Sequence, residues 1–350
     1  MTFRPGRFLL IAAVVVAALF SQEAAVRLAL PAFDPANHLR FMPPQGDLPP
    51  LGKPNSTHRL IKNSGDYDVQ VRFNRHGLRD SLDVSQAGPD DIALVGDSFA
   101  FGWGVREDQR ISEQLSQRLG RRVFNLGVPT DIDGYFALLQ YARDLGGHPG
   151  QVVVLVNMTD DLIDYDGRGN VVSFPSSPPP PPATEGGRGF GSAKEFLLTH
   201  SALYFLATSL VQRQPLLRSL AIKAGLIAAV QPAAARDVGD AALKAATARL
   251  VRLARSQPTL IVLIPYRGLW LGGEPATEHA VHERFRRQLE AAGLDVLDPL
   301  SAMEALPGGP PTVHFATDAH WNPKGHALVA DLLAKRLARL GSVSRQAGGG

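Results

Sequence analysis

The stretch Ile92-Ala-Leu-Val-Gly-Asp-Ser-Phe-Ala-Phe-Gly-Trp-Gly-Val105 decides the fold. Its first four residues are apolar and Gly96, Asp97 and Ser98 follow at once, a pattern typical of a buried strand that ends in a tight turn. A serine at the carboxyl end of a strand projects its hydroxyl toward the ligand crevice, where backbone N–H groups can hold an anion. Ser98 is therefore either a nucleophile or a helix cap, and this stretch alone favours neither.

Short apolar runs of strand length alternate along the chain with amphipathic segments of helical period. The predicted strands are Ile92–Val95, Arg122–Leu126, Val152–Val156, Leu260–Ile264 and Leu294–Leu297. The predicted helices are Ile111–Leu119, Tyr135–Leu145, Asp240–Ser256, Glu278–Ala292 and Lys324–Leu340. This alternation predicts an α/β fold with three α/β/α layers and a mostly parallel, flavodoxin-like sheet, whose ligands bind at the carboxyl ends of the strands.

The N-terminus has the pattern of an export signal. Arg4 and Arg7 precede the apolar run Phe8–Phe20, and an apolar pattern resumes at Ala24–Ala32. The run is shorter than the roughly 20 residues of a full membrane span. No small-residue cleavage site follows it, which favours an uncleaved signal-anchor over a cleaved peptide. The positive flank then keeps the start in the cytoplasm, so we expect an inner-membrane anchor with the rest facing the periplasm.

Composition excludes several classes of protein. The chain has 350 residues, 45% hydrophobic and 20% charged, which is ordinary for a globular protein with a sizeable core. Its net charge is only +3 and no basic stripe stands out, so no nucleic-acid partner is expected. Cysteine is absent, which excludes disulfides, thiolate metal sites and a cysteine nucleophile.

Shifts in composition divide the chain into four parts. These are a signal-anchor at 1–32, an irregular extension at 33–90 with a short strand Asp68–Phe73, the α/β domain at 91–340, and a disordered tail at 341–350. A Pro/Gly-rich insertion at about 167–195 is predicted to be a solvated loop. Two apolar helical segments follow it, Glu195–Leu210 and Leu216–Val230, and they either cap the sheet or lie along the membrane surface, with packing on the core as the default.

A second stretch, Phe315–His326, precedes the last predicted helix and carries a candidate base. His320 follows Asp318 by two residues, close enough for the carboxylate to orient the imidazole and stabilise its charged form. Asn322 and Pro323 suit the cap and first turn of the helix. This stretch therefore offers the base that a serine nucleophile requires.

The other polar groups of the chain point to structural roles. His326 lacks an adjacent acid, and together with His314 and His320 it has no metal-ligand spacing, so no metal is expected. The carboxylates at 160–166 fail the EF-hand template and predict a solvated acidic loop. No phosphate-binding or dinucleotide motif occurs, so no cofactor is expected.

The order of four motifs along the chain resembles that of the SGNH (GDSL-type) hydrolase superfamily. The motifs are Gly-Asp-Ser at 96–98, Asn125-Leu-Gly127, an acidic block after the third strand, and Asp318-x-His320. The likeness is strongest to its exported, membrane-anchored bacterial members, and the Asp-x-His-Trp-Asn form also occurs in alginate-acetylation-type enzymes. It covers residues 91–166 and 257–340, and the stretch Asn74–Arg79 resembles the lead-in to such domains.

The resemblance implies a role for each matching residue. Ser98 matches the nucleophile, His320 the base and Asp318 the acid that orients it. Gly127 matches the glycine whose N–H joins that of Ser98 in an oxyanion hole. Asp97 is expected to hold the turn and not to serve as the triad acid.

One position departs from the family pattern. Where an asparagine is expected as a side-chain oxyanion donor, this chain has Thr159, and Asn157 lies two residues earlier on the same side of the strand. Either residue, or neither, supplies the donor. Loss of one such donor costs about 2.7–4 kcal/mol of transition-state stabilisation, which weakens a hydrolase without abolishing it.

Three functions follow as hypotheses. The leading one is an envelope serine esterase that removes acyl groups, such as acetyl, from a carbohydrate or lipid ester. The second is an O-acyltransferase that uses the same residues to acylate an envelope polysaccharide. The third is a catalytically weak, membrane-anchored binding module.

Overall fold

The structure is a computed structural model that describes residues 5–158, 161–162, 190–227, 238–271 and 273–347. It divides into two compact units. The first unit comprises residues 1–39, 58–68 and 177–229, and the second comprises 40–57, 69–176 and 230–350. Thr159, most of the acidic block, most of the predicted Pro/Gly-rich insertion and the last three residues lie outside the described residues.

The strands are β1 Thr57–Ile61, β2 Asp68–Arg72, β3 Ile92–Val95, β4 Val123–Asn125, β5 Gln151–Asn157, β6 Thr259–Ile264 and β7 Asp295–Leu297. The helices of the N-terminal and middle parts are α1 Pro5–Ala29, α2 Ser98–Phe101, α3 Ile111–Leu119, α4 Ile132–Asp144, α5 Phe190–His200, α6 Ala202–Arg213 and α7 Pro215–Lys223. The C-terminal helices are α8 Asp240–Ser256, α9 Gly268–Leu271, α10 Pro275–Ala291, α11 Leu300–Glu304 and α12 Pro323–Ala347.

The second unit is built on a five-stranded sheet in which every pair of neighbouring strands is parallel. The strand order is β4-β3-β5-β6-β7, which is the flavodoxin-like order. Apolar clusters cover both faces, one including Val154 and Tyr135 and the other Leu155 and Trp321. Because both faces are buried, the strands are continuous apolar runs, and the predicted α/β class is confirmed.

The sheet sets where the functional side chains lie. Strands β3 and β5 are neighbours, with Val95 paired to Val154. The turn that follows β3 and the end of β5 therefore meet at one edge of the sheet, the carboxyl edge where α/β proteins bind ligands.

Several boundaries differ from the sequence prediction. Helix α4 begins at Ile132, three residues early, because Asp131 caps it by accepting from the Gly134 N–H. The predicted helix Glu195–Leu210 is in fact two helices, broken at Ser201, whose hydroxyl accepts from the Tyr204 N–H and starts α6. In each case a local side-chain cap overrides the apolar periodicity.

The first unit contains α1, all of β1 except its first residue, and α5 to α7. Within the described part of the chain, one helix is long and apolar enough to cross a membrane, the segment Leu9–Ala29 of α1, with a mean hydropathy of 2.1. None of that segment is buried against the rest of the protein. Length and composition thus agree with a membrane anchor or a signal sequence.

The start of α12 holds the histidine loop in place. As predicted, Asn322 caps the helix, its Oδ1 accepting from the Lys324 and Gly325 N–H groups at 2.9 and 3.2 Å. Its amide donates to the carbonyls of Thr312 and His314, at 3.0 and 2.8 Å. One side chain therefore joins the helix start to the segment before the loop.

His326 lies in the first turn of α12 and is 1% exposed. Its Nδ1 has no hydrogen-bond partner among the residues described. Burial lowers the pKa of His326 from its ordinary value of 6.5 to about 3. The imidazole is therefore neutral in the folded state, and its role is structural.

This burial predicts a loss of stability in acid. Between pH 6.5 and 3 the unfolded chain protonates His326 while the folded chain does not, so the free energy of unfolding should fall as pH falls, by up to about 1.4 kcal/mol per pH unit. His326→Asn should remove this contribution and leave that of His314, whose pKa burial lowers to about 4. Burial raises the pKa of Asp80 to about 7, so this group raises the free energy of unfolding as the pH falls from 7 to 3.8. Because Asp80 is present in both wild type and His326→Asn, its contribution cancels when the two proteins are compared.

The measurement is urea unfolding at several pH values, followed by tryptophan fluorescence. All three tryptophans lie in the second unit, so the signal reports on the unit that contains His326. His279→Asn, at a histidine whose side chain is 43% exposed, is the matched control and should keep the wild-type dependence. The same pH dependence in wild type and His326→Asn would contradict the prediction.

Candidate active site

Three side chains from two distant parts of the sequence form one hydrogen-bonded chain. Ser98 Oγ lies 2.7 Å from His320 Nε2. On the other side of the ring, His320 Nδ1 lies 2.5 Å from Asp318 Oδ1, which also accepts from the His320 N–H at 3.1 Å. A carboxylate at Nδ1 favours the tautomer in which Nε2 is free to accept the serine proton.

The Ser98 hydroxyl is positioned by the turn that ends β3. Gly96 has a φ of +155°, and a Cβ there would lie 2.9 Å from the Cβ atoms of both Ala100 and Leu155. A larger residue would therefore collide with α2 on one side and β5 on the other. Asp97 then starts α2, its Oδ1 accepting from the Phe99 N–H at 2.9 Å, so that Ser98 is the first helical residue.

Asp97 also joins the turn to the neighbouring strand. Its second carboxylate oxygen accepts from the side-chain amide of Asn157 at 2.7 Å. Both residues are buried, at 3% and 4% exposure. Asp97 is thus a turn and hydrogen-bond residue, as predicted, and Asn157 lies beside the Ser98 turn. Its role as oxyanion donor stays a prediction.

The acidic block after β5 contains a buried carboxylate that the sequence did not predict. We expected a solvated loop, but Asp161 is fully buried and accepts from the Asn157 backbone N–H at 2.8 Å and from the Tyr135 hydroxyl at 3.0 Å. Burial, with the neighbouring Asp161 carboxylate, raises the pKa of Tyr135 well above its ordinary value. Asp161 therefore fixes the end of β5. Thr159, the other candidate donor, lies outside the described residues.

Gly127 packs directly against the helix that carries Ser98. A Cβ on this residue would lie 2.4 Å from the Phe101 backbone nitrogen, so no larger residue fits without moving α2. The Gly127 N–H, which the resemblance assigns to the oxyanion hole, donates to Asn125 Oδ1 at 2.8 Å. The oxyanion role of Gly127 stays a prediction. That role requires the Gly127 N–H to be shared with the Asn125 side chain or released by it.

The lead-in stretch supplies a buried arginine that holds the loop after α2. Arg79 is 2% exposed and donates to the carbonyls of Phe101, Gly102 and Val105, at 3.1, 2.6 and 2.7 Å. Burial, and then the charge of Arg110, lowers the pKa of Arg79 to about 9. The resemblance of 74–79 to a family lead-in could have pointed to this residue, but not to the carbonyls that it binds.

Asp80 continues the same network toward β4. It accepts from the Asn125 backbone N–H at 2.6 Å and from the Leu82 N–H at 2.9 Å. The Asn125 amide in turn donates to the Ala100 carbonyl of α2 and to the Ser112 hydroxyl, at 2.8 and 2.9 Å. The segments 79–80, 98–105 and 125–127 are therefore joined by buried hydrogen bonds around the turn that carries Ser98.

Two aromatic rings flank the His320 imidazole. Trp103 lies nearly parallel to it, with centroids 5.7 Å apart and an interplanar angle of 23°, and Phe99 is tilted against it at 5.0 Å. The loop that carries His320 is closed at its base by a bond from the Phe315 N–H to the His320 carbonyl, 3.1 Å long. Sequence reasoning missed Trp103, although it lies in the same stretch as Ser98.

The third histidine of this region, His314, does not join the hydrogen-bonded chain. Its Nδ1 lies 2.8 Å from the Pro310 carbonyl oxygen. Burial lowers the pKa of His314 to about 4. Of the three histidines that the sequence offered, the structure brings only His320 to Ser98.

A family model agrees with the C-terminal part of the motif order. Residues 234–349 match the "SGNH hydrolase-like domain, acetyltransferase AlgX". The matched region contains Asp318 and His320 but not Ser98. No curated protein is similar enough to this chain to count as a match.

Solved structures show a distant likeness over most of the chain. A putative lipolytic protein of the G-D-S-L family from Desulfitobacterium hafniense is 13% identical with a TM-score of 0.34, covering 70% of this chain and 98% of its own. A member of that family from Veillonella parvula is 13% identical with a TM-score of 0.40, covering 71% and 98%. The lipase/acylhydrolase from Enterococcus faecalis is 12% identical with a TM-score of 0.40, covering 71% and 94%. The family model covers about a third of the chain, and within that part it agrees with the resemblance to the SGNH hydrolase superfamily that the motifs predicted.

Proposed function

We propose that this protein is a serine-dependent acyl hydrolase of the cell envelope that removes acyl groups, such as acetyl, from a carbohydrate or lipid ester. The observation that carries the proposal is the hydrogen-bonded chain from Ser98 through His320 to Asp318. A hydroxyl, an imidazole and a carboxylate in that order are the groups that activate a serine for attack on an ester. The buried network around the Ser98 turn supports the proposal because it fixes the hydroxyl in place.

In the proposed reaction the Ser98 Oγ attacks the ester carbonyl carbon while His320 Nε2 takes the hydroxyl proton. The tetrahedral intermediate collapses, the C–O bond to the alcohol breaks, and His320 returns the proton to the leaving oxygen. Water then attacks the acyl-Ser98 ester by the same steps in reverse, releasing the carboxylic acid. Asp318 stabilises the imidazolium that forms in each half-reaction.

A second candidate is an O-acyltransferase, and one specific observation favours it. The protein-family model that matches residues 234–349 describes an SGNH hydrolase-like domain of an acetyltransferase. The two reactions share the acyl-enzyme and differ only in whether water or a sugar hydroxyl accepts the acyl group. Which acceptor reaches the acyl-enzyme, and not the Ser98–His320–Asp318 chain, decides between them.

The location and the domain division belong to the same proposal. The apolar segment Leu9–Ala29 would anchor the chain in the inner membrane with the enzyme on the periplasmic side, and the partner would be an envelope ester and the membrane itself. The division into an extension at 33–90 and a hydrolase domain at 91–340 is likewise proposed.

The first test concerns the nucleophile. Ser98→Ala should abolish turnover of a small acetyl ester, because it removes the hydroxyl that forms the acyl-enzyme in the proposed reaction. A fluorophosphonate probe should label the wild-type protein at Ser98, as located by mass spectrometry, and leave Ser98→Ala unlabelled. Ser301→Ala, at an exposed serine of α11, is the control and should behave as wild type. A folded wild-type protein that takes no label would support the binding-module hypothesis instead.

The second test concerns Asn157. If its side-chain amide donates to the oxyanion, Asn157→Ala should lower kcat by about 10²–10³ with little change in KM, because the bond forms only in the transition state. Tyr135→Phe is the control for a merely structural effect, because it removes the hydroxyl bond to Asp161 at the other side of the same strand end. Equal losses in the two variants would assign Asn157 to positioning alone.

The third test separates hydrolysis from transfer. Wild-type protein is given an acetyl ester donor together with an unacetylated polysaccharide, and free acetate and polysaccharide-bound acetate are both measured. The proposal predicts acetate as the main product and loss of both products in Ser98→Ala. An excess of polysaccharide-bound acetate would establish the second candidate.

A further inference from the structure

Helices α5, α6 and α7 of the first unit expose large apolar side chains. The exposed ones are Phe196, Leu197, Leu210, Leu216, Leu217 and Leu220, with Leu226 just after α7, and we call this set the α5–α7 apolar surface. Leu216 is 72% exposed and Phe196 is 60% exposed. Isolated exposed leucines are ordinary, but a set concentrated in about 30 residues marks a surface that contacts an apolar partner.

Hydrogen bonds within the same unit join the anchor helix α1 to the start of α6. The Glu23 carboxylate accepts from the Ser201 hydroxyl at 2.8 Å and from the Ala202 and Leu203 N–H groups at 2.8 and 3.0 Å. These N–H groups open α6, so Glu23 of one helix caps the start of another. The contact would be lost if α1 were removed as a signal peptide.

Arg27 extends this contact by one helical turn. Its guanidinium bonds to Glu23 at 2.8 Å, to Asp34 at 2.5 Å and to the His200 carbonyl at 2.5 Å. The C-terminal end of α1 is therefore joined to the junction between α5 and α6 by charged groups that are satisfied within the protein. This arrangement fixes the junction of α5 and α6 beside the end of the candidate membrane span.

The charges on these helices indicate which apolar partner fits. Residues 202–223, which contain α6 and α7, include Arg213, Arg218 and Lys223 and no Asp or Glu. Exposed leucines together with unopposed basic residues are the composition of a helix that lies in a membrane interface, where the apolar side enters the acyl region and the cations meet anionic headgroups.

From the joined anchor, the exposed leucines and the basic charge, we propose that α5–α7 form an interfacial membrane-binding surface. Its partner is the lipid leaflet in which the C-terminal end of α1 lies, with anionic headgroups around Arg218 and Lys223. The apolar side chains enter roughly 5–10 Å into the headgroup and acyl boundary. The first unit is then a two-part anchor, with one helix across the bilayer and α5–α7 along its surface.

The absence of cysteine from the chain makes a direct test simple. Single cysteines replace Leu216 or Leu220 in the full chain, or Leu271, an exposed leucine of the second unit, as the matched control. Each carries an environment-sensitive fluorophore, and the protein is reconstituted into vesicles of phosphatidylcholine and phosphatidylglycerol. Quenching is measured with nitroxide-labelled lipids and, separately, with aqueous iodide.

The proposal predicts quenching by the lipid nitroxide and protection from iodide at Leu216→Cys and Leu220→Cys, with the reverse at Leu271→Cys. Combining Leu216→Cys with Arg218→Glu and Lys223→Glu should reduce lipid quenching, as should vesicles without phosphatidylglycerol. Labels at 216 and 220 as open to iodide as the control would overturn the proposal. Protection from both quenchers would overturn it too, because it would place protein, such as a second copy, on this surface.

Discussion

The proposed chemistry depends on a meeting between two residues that are 222 positions apart, the Ser98 hydroxyl and the His320 imidazole, 2.7 Å from each other. A parallel sheet makes such a meeting possible because every strand ends at the same edge. The hydroxyl follows β3, an interior strand of the sheet, and the imidazole lies on a loop that Asn322 holds at the start of α12. The hydrogen bond exists only while both elements pack on that one edge, so the integrity of the whole second unit is a condition for the site.

Holding this geometry requires buried polar groups, which are costly unless their hydrogen bonds are made. The structure meets that condition locally. Asp97 accepts from its own helix and from Asn157, Asp161 accepts from β5 and from Tyr135, and Arg79 donates to three carbonyls of the loop after α2. Each of these side chains joins an element that carries part of the site to a neighbouring element. The polar network therefore gives the Ser98 turn a defined position that apolar packing alone does not specify.

The fold was predictable because a strand buried on both faces has a strong sequence pattern, and the five runs from Ile92 to Leu297 all became strands. Ser98, Asp318 and His320 were predictable for a different reason, since their short motifs keep the same order as in the resembling family. The network was not predictable from sequence. Asp161 lies in an acidic block whose composition is that of a solvated loop, and only the structure shows that Tyr135, 26 residues earlier, is its hydrogen-bond partner. The starts of α4 and α6 likewise depend on single capping side chains, those of Asp131 and Ser201, which the hydrophobic periodicity does not reveal.

The same network sets the conditions for an oxyanion hole. In this structure the Gly127 N–H donates to a neutral amide oxygen of Asn125, and the Asn157 amide donates to the Asp97 carboxylate. A developing oxyanion is charged and competes well with a neutral acceptor, since charge-assisted hydrogen bonds are roughly twice as strong as neutral ones. It has no such advantage over a carboxylate. The oxyanion role predicted for Gly127 therefore requires only the displacement of a neutral acceptor, whereas the role predicted for Asn157 competes with its bond to the Asp97 carboxylate.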